Sequence, residues 1–65
     1  MRMSPPELFT LEGCELEVKA ETTAALLVVI DFEEMWLPRS QVFEVSPSEG
    51  KIVMTAWLAK KKGLL

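Results

Sequence analysis

The chain has 65 residues, a net charge of −3, one cysteine and no histidine. A chain of this length forms one domain with a thin core, because it hides only about 60% of the surface that its unfolded form exposes. The lone Cys14 excludes an internal disulfide, and a structural zinc site needs several Cys or His ligands. We therefore expect no metal and no cofactor, and a single unpaired cysteine is typical of a reducing compartment.

The chain shows no targeting or membrane-spanning pattern. Residues 1–6 lack the apolar stretch of a signal peptide. The longest apolar run, residues 24–30, is far shorter than the roughly 20 residues that cross a bilayer. We therefore expect a soluble, cytoplasmic protein that does not interact with membranes.

Charge is distributed unevenly along the chain. All ten acidic residues lie between Glu7 and Glu49, so that residues 1–50, with three basic residues, carry −7. The last fifteen residues carry four lysines and no acid. The acidic body argues against phosphate binding by the domain as a whole. The basic end is typical of a helix that complements its own dipole; alternatively, it contacts a phosphate or an acidic partner.

The first third of the chain predicts an arm and two strands. Residues 1–7, with two adjacent prolines, predict a flexible N-terminal arm. Residues 8–12 predict a short edge strand or a segment that covers the core. Residues 15–21 alternate strictly between charged and apolar, which predicts a half-buried strand. Its inward residues are Leu16, Val18 and Ala20.

The middle of the chain predicts a buried hairpin. The apolar run of residues 24–30 predicts a central strand that is buried on both faces or nearly so. Residues 31–33 connect it to a strand over residues 34–37, which Pro38 ends because proline cannot donate to a ladder. Phe32 is unusual in such a turn, since tight hairpins favour Gly or Asn at positive φ. Either the turn is longer, or Phe32 is kept for contact.

The last third predicts a second hairpin and a helix. A turn at residues 38–40, either an ordinary turn or a 3₁₀ turn, precedes a strand over residues 41–45. A turn with left-handed Gly50 then leads to a strand over residues 51–54. Thr55 is a good N-cap for a helix over residues 56–62. The helix ends with Gly63 as its left-handed cap, and Leu64 contacts Leu58 or Ala59.

Together these elements predict a mostly β fold. We expect residues 8–65 to form a small antiparallel, SH3-like β-barrel of four to five strands with one short C-terminal helix. A helix this short is unstable alone. Trp57 and Leu58 are therefore expected to pack against the barrel mouth.

Two segments resemble a group of short, largely uncharacterised phage and prophage proteins. The first reads EMWLPRSQV, from Glu34 to Val42, and the second reads MTAWLAKKKGL, from Met54 to Leu64. Those proteins carry a Trp-aliphatic-Pro-basic-Ser-Gln segment and a terminal Trp-Leu-Ala helix that ends in Lys-Gly-Leu. The resemblance, over residues 16–64, implies a small β-barrel of phage or mobile-element origin in the host cytoplasm. It implies no catalytic residue. Such proteins have Asp-Gly where this chain has Asp31-Phe32, so the resemblance does not imply a tight hairpin here.

The residue types argue against an enzyme. Histidine and tyrosine are absent, which removes the commonest general base and a common proton donor. Cys14 has no histidine to activate it. The carboxylates of residues 15, 17 and 21, predicted to share one strand face, and those of residues 33 and 34 have the chemistry to bind a divalent cation. We interpret them instead as solvated faces that keep the strands soluble.

The segment of residues 36–41 is the candidate binding corner. Trp36 is either a platform for a base or a partner, with Arg39 as a nearby charge, or a plug for the barrel; we favour the plug, because a thin core needs its tryptophans. Trp57 is expected to be core for the same reason. Arg39 then remains as a solvent-side charge, and replacing it by Glu is predicted to leave the fold unchanged and abolish binding.

The sequence predicts a non-catalytic binding module that acts on a protein partner or on its own copy, as an inhibitor or accessory factor. The candidate partner-binding residues are Phe32, Glu33, Glu34, Trp36 and Arg39. One alternative is a barrel that binds single-stranded nucleic acid. Its candidate contacts are Trp36, Arg39, Lys51, Lys60, Lys61 and Lys62. A second alternative is a structural homo-oligomer.

Overall fold

The computed structural model describes residues 7–65, which form two three-stranded antiparallel sheets and one helix. The strands are β1 (Leu8–Leu11), β2 (Leu16–Glu21), β3 (Ala25–Ile30), β4 (Glu33–Pro38), β5 (Val42–Ser46) and β6 (Lys51–Thr55). The helix α1 spans Ala56–Lys61, and short 3₁₀ turns span Arg39–Gln41 and Pro47–Glu49. The strand orders are β2-β3-β4 and β1-β6-β5. The predicted arm lies outside the described residues except for Glu7.

The mostly β fold with one short C-terminal helix is confirmed, but the closed barrel is wrong. The described residues form six strands rather than four to five. Within residues 7–65 no strand of one sheet pairs with a strand of the other. The chain crosses between sheets at residues 12–15 and at the 3₁₀ turn after β4, without forming a ladder at either point. The sheets therefore remain open.

The core lies between the two sheets and the helix. It consists of eight buried apolar side chains, namely Leu26, Val28, Ile30, Leu37, Ile52, Met54, Leu58 and Ala59. The register puts Leu26 opposite Leu37, and Val28 opposite Val18 and Met35. Directly opposite residues share a face of the sheet. The inner row of β3 is thus buried from end to end.

β3 is the central strand, as predicted, and its outer face is nearly but not fully buried. A bulge in β2 at Lys19 explains a difference from the predicted side-chain pattern. The extra residue shifts the side-chain alternation by one position, so Ala20 lies opposite Leu27 and is exposed. Its predicted inward position is therefore wrong, whereas Leu16 and Val18 pack on the core as predicted.

The hairpin between β3 and β4 is tight. Ile30 pairs directly with Glu33, which leaves a two-residue turn. Both turn residues have positive φ, 50° for Asp31 and 72° for Phe32, as a type I′ turn requires. The alternative of a longer turn is therefore wrong. Asp31 is held by Glu15, whose amide donates to the Asp31 carboxylate (3.0 Å) and whose carbonyl accepts from the Asp31 amide (2.8 Å).

The turn between β5 and β6 joins the two halves of the molecule, which are the β2-β3-β4 sheet and the β1-β6-β5 sheet with α1. Gly50 is left-handed, as predicted, with φ of 62°. Its carbonyl accepts hydrogen bonds from the Cys14 amide (3.2 Å) and from the Cys14 thiol (3.1 Å). A Cβ at residue 50 would lie 2.4 Å from the Cys14 carbonyl oxygen. Only glycine fits there, because backbone approaches backbone.

The helix has the predicted caps. The Thr55 hydroxyl accepts from the Leu58 amide (3.2 Å). At the other end, the Gly63 amide donates to Lys60 (3.2 Å) and the Leu64 amide to Ala59 (2.8 Å), which is a Schellman motif. Residues 7–65 contain no helix with the length and apolarity to cross a membrane.

The expected burial of Trp57 is wrong. A helix of six residues presents one narrow face to the core, and Leu58 and Ala59 occupy it. Trp57 therefore remains 57% exposed.

Candidate partner-binding surface

The outer face of the β2-β3-β4 sheet carries an apolar row. Residues 25, 27 and 29 of β3 point away from the core, because their neighbours point into it. Trp36 lies opposite Leu27, and Glu34 lies opposite Val29. On the other side of β3, Glu17 also lies opposite Val29. Carboxylates thus border the apolar row on both sides.

Trp36 belongs to this outer face and not to the core. It is 48% exposed, so the interpretation of Trp36 as a plug of the structure is wrong. The alternation of β4 explains this position, because Leu37 is fully buried and its neighbour must face the opposite way.

Phe32 extends the apolar row to the tip of the hairpin. Its side chain is 86% exposed, and it lines an open depression together with Glu15, Glu17 and Val29. A bulky residue at positive φ costs about 1–2 kcal/mol relative to an ordinary conformation. Such strain is concentrated at functional sites, where the side chain is needed. The Phe32 side chain therefore stabilises neither the turn nor the core.

The surface is strongly acidic. Residues 15–38 contain six carboxylates and a single lysine, Lys19, and thus carry −5. Residues 39–65 contain five basic and two acidic residues and thus carry +3. The charge separation follows the fold, because the first range forms the β2-β3-β4 sheet. This sheet attracts cationic surfaces and repels polyanions.

The structure brings three of the five predicted partner-binding residues to the outer face and its tip, whereas Glu33 shares the inner side of β4 with Met35. Phe32, Glu33 and Glu34 lie at the hairpin tip, and Trp36 lies farther along the same strand. Arg39 lies beyond the other end of β4, roughly 23 Å from Phe32 at the usual rise per strand residue. It does not share the surface that Phe32, Glu34 and Trp36 form.

Arg39 also has structural partners. Its guanidinium donates to the Glu21 carboxylate and to the Thr22 carbonyl, each at 2.7 Å. Its amide donates to the Ala24 carbonyl (2.9 Å). The bulge in β2 makes the ion pair possible, since it turns Glu21 toward the side of the sheet on which Leu26 lies. Arg39 is exposed, as predicted for a solvent-side charge, and its side chain is in addition paired within the fold.

The predicted nucleic-acid contacts do not form one surface. Trp36 lies on the outer face of the β2-β3-β4 sheet, whereas Lys51 lies on the other sheet, 3.7 Å from the Glu44 carboxylate. The three C-terminal lysines lie in the last turn of α1 and at its C-cap. Lys61 stacks over the Trp57 ring with its nitrogen 5.2 Å from the ring centroid.

Sequence reasoning missed Trp57 as an exposed aromatic residue. The spacing of Trp57 and Lys61, four residues apart on a helix, was the signal that could have found it, because such pairs are neighbours on a helix surface. Trp57 and Lys60 also line an open cleft beside Gln41 and Thr55. The Thr55 hydroxyl donates to the Gln41 side-chain oxygen in this cleft (2.8 Å).

The carboxylate and thiol side chains of the described residues are dispersed. Among residues 7–65 no three carboxylate or thiol side chains come close enough to hold a metal ion. The bulge separates Glu21 from the face that carries Glu17, so the predicted row of residues 15, 17 and 21 on one face is wrong. Burial, and to a lesser extent the nearby Asp31 charge, raises the pKa of the Cys14 thiol. A raised pKa disfavours the nucleophilic thiolate.

The outer face of the β2-β3-β4 sheet thus carries a partly buried apolar row with exposed Trp36 and Phe32 and an acidic border. No protein-family model matches the chain, and no curated protein or solved structure has significant similarity to it.

Proposed function

We propose that the protein is a non-catalytic binding module that engages a basic protein surface through the outer face of the β2-β3-β4 sheet. The observation that carries the proposal is Phe32, which is held at positive φ with 86% of its side chain exposed. A glycine at this position would form the same turn at lower cost. The ring is therefore retained for a contact outside the chain.

Charge selects the class of partner. The net charge of −5 on residues 15–38 favours a cationic partner and speeds its approach. Phe32 and Trp36 supply aromatic anchors, which dominate the energy of most interfaces. The proposed activity is that of an inhibitor or accessory factor that occupies a basic groove. The resemblance of residues 34–42 and 54–64 to phage proteins is the basis for proposing a phage or mobile-element origin.

Affinity capture with matched variants tests the proposal. Wild-type protein is immobilised beside Trp36→Ala and Glu34→Lys, with Trp57→Ala and Glu49→Lys as controls from the other half of the molecule. We expect a basic protein that both controls retain and both surface variants lose. The captured partner, once purified, should bind the Trp36→Ala variant at least about tenfold more weakly than it binds the wild-type protein. Equal binding to all five proteins would refute the proposed surface.

A second candidate function is binding of single-stranded nucleic acid at α1. The stack of Lys61 on the exposed Trp57 ring, with Lys60 beside it, favours this function, since stacking on aromatic rings and nearby cations is the common mode of such binding. We expect an unlabelled oligothymidine to quench Trp57 fluorescence at low salt. The quenching should weaken as salt rises and should be lost in Trp57→Ala. Quenching that is absent at low salt excludes this function.

A further inference from the structure

The outer edge of β4 differs from the other sheet edges in the described residues. β2 and β5 carry bulges at Lys19 and Phe43, and β1 has only four residues. Bulges and short strands are devices that protect an edge from pairing with another chain. β4 pairs with β3 in an uninterrupted six-residue register. It is a regular strand with one side free of ladder partners within residues 7–65.

The hairpin register shows which backbone groups lie on the free side. Ile30 and Glu33 flank the two-residue turn, so they form a hydrogen-bonded pair, as do residues 28 and 35 and residues 26 and 37. The amides and carbonyls of Glu34 and Trp36 therefore point away from β3. Pro38 fits the same alternation, because its missing N–H falls on the outward side, where proline is tolerated.

We infer that this edge accepts an extended basic segment of the partner protein as an added antiparallel strand. The inference rests on the proposed function and specifies how the partner binds. Residues of the added strand that pair with Glu34 and Trp36 would lie on the outer face. Lysine or arginine there meets the Glu34 carboxylate and the face of the Trp36 ring. The residues between them would face Met35, which packs on the core, and are apolar.

Charge decides between this occupant and a second copy of the chain. Glu33 and Glu34 lie side by side near the tip, and β4 itself carries no basic residue. Pairing of two β4 edges would join two acidic sheets, each with a net charge of −5 over residues 15–38, and surfaces of like charge repel each other. The acidic residues thus discourage self-pairing and at the same time select a cationic strand.

The probe is an acetylated and amidated nine-residue peptide of alternating lysine and valine. Two matched peptides of the same charge carry N-methyl groups either on the lysines or on the valines. In the added strand the lysine amides face β4, so methylation of lysines should weaken binding at least about tenfold, as the loss of two hydrogen bonds implies. Methylation of valines should leave affinity within about twofold, because those amides face solvent.

Amide exchange in the full chain supplies a readout at single residues. In the free protein the Glu34 and Trp36 amides should exchange faster than those of Glu33 and Met35, which bond to β3. The parent peptide should slow exchange at Glu34 and Trp36 about tenfold and leave exchange at Glu33 and Met35 unchanged. Glu34→Lys should weaken peptide binding about tenfold, with Glu49→Lys as the control.

Each other outcome overturns the inference in a distinguishable way. Equal binding of all three peptides would show a basic ligand on the outer face without strand addition, and the proposed function would stand. No binding of the parent peptide at millimolar concentration refutes the strand mode, while the capture experiment decides the function separately. Protection of Glu34 and Trp36 that rises with protein concentration alone would identify a second copy as the occupant.

Discussion

The β2-β3-β4 sheet and the rest of the molecule contribute equally to the core and differently to the surface. The β2-β3-β4 sheet supplies four of the eight buried apolar side chains, and β6 with α1 supplies the other four. The outer face of the first sheet exposes Trp36 beside Leu27 and Val29 with acidic borders, whereas the second sheet pairs Lys51 with Glu44. Stability is thus shared between the halves, and the candidate binding features are concentrated on one.

The turns of the two sheets show the same contrast. Gly50 is the residue type that its backbone demands, because a Cβ would collide with the Cys14 carbonyl. Phe32 occupies an equally left-handed conformation without being glycine. One turn is therefore optimised for joining the halves, and the other retains a strained residue. This difference distinguishes an architectural turn from a functional one, and substitutions at both turns can test it.

The largest expected effect is at the junction of the halves. Gly50→Ala should lower the free energy of unfolding by about 3 kcal/mol, because left-handed strain adds to a clash between backbone atoms. Gly13→Ala is the control, since Gly13 also has positive φ but its Cβ would meet no atom within 4 Å. It should lose about 1 kcal/mol. Urea unfolding measures both, and equal losses would contradict the role of the Gly50 contact.

The hairpin tip should respond in the opposite direction. Phe32→Gly should raise the free energy of unfolding by about 1 kcal/mol, because the relief of left-handed strain exceeds the extra entropy of glycine in the unfolded chain. Phe32→Ala removes the same ring but keeps a Cβ, so it should bring no such gain. Both variants should lose binding to the basic partner. A Phe32→Gly variant that is less stable than wild type would show that the ring stabilises the fold.

The far end of β4 should show a smaller effect. Arg39→Ala should lower the free energy of unfolding by about 1 kcal/mol, because the exposed ion pair with Glu21 and the bond to the Thr22 carbonyl are both lost. A double-mutant cycle with Glu21→Gln should assign about 0.5 kcal/mol to the pair. Peptide binding at the β4 edge should not change. Full stability of Arg39→Glu would show that these contacts do not stabilise the fold.

The smallest effect is the titration of Cys14. The folded-state pKa of its thiol lies above the ordinary value of 9.0, so the folded state binds the proton more tightly than the unfolded state. The resulting stabilisation is complete below pH 9 and is lost as the pH rises through the folded-state pKa. The difference in stability between wild type and Cys14→Ser, measured from pH 7 to 10.5, should therefore shrink only above pH 9. A constant difference would exclude a raised pKa.

Local patterns predicted the elements well and the surface poorly. The strand of residues 24–30, the caps of α1 and the left-handed Gly50 follow from short-range rules that operate within a few residues. The positions of Trp36 and Trp57 do not, because the general need for a large core ignores which face each residue occupies. Both tryptophans are next to a more deeply buried leucine, and the leucines fill the core.

The charge of the candidate site was predictable, but its membership was not. The acidic hairpin residues Glu33 and Glu34, with Phe32 at the tip, are adjacent in the chain and stay together in any hairpin. Arg39 was grouped with them by proximity in sequence, yet β4 carries it to the opposite end of the sheet. The ion pair with Glu21 depends on the bulge in β2. The sequence gives no sign of this bulge, because no turn residue and no break in the alternation marks it.

The sequence by itself determined the β-rich class, the order of most elements, the helix caps and the acidic character of the first half, because each depends on neighbouring residues or on composition. The tertiary structure decided which strands pair, that the sheets stay open, and which apolar residues remain outside. These outcomes depend on register and on the competition of side chains for one small core. They leave the outer row of Trp36, Leu27 and Val29 beside the open edge of β4.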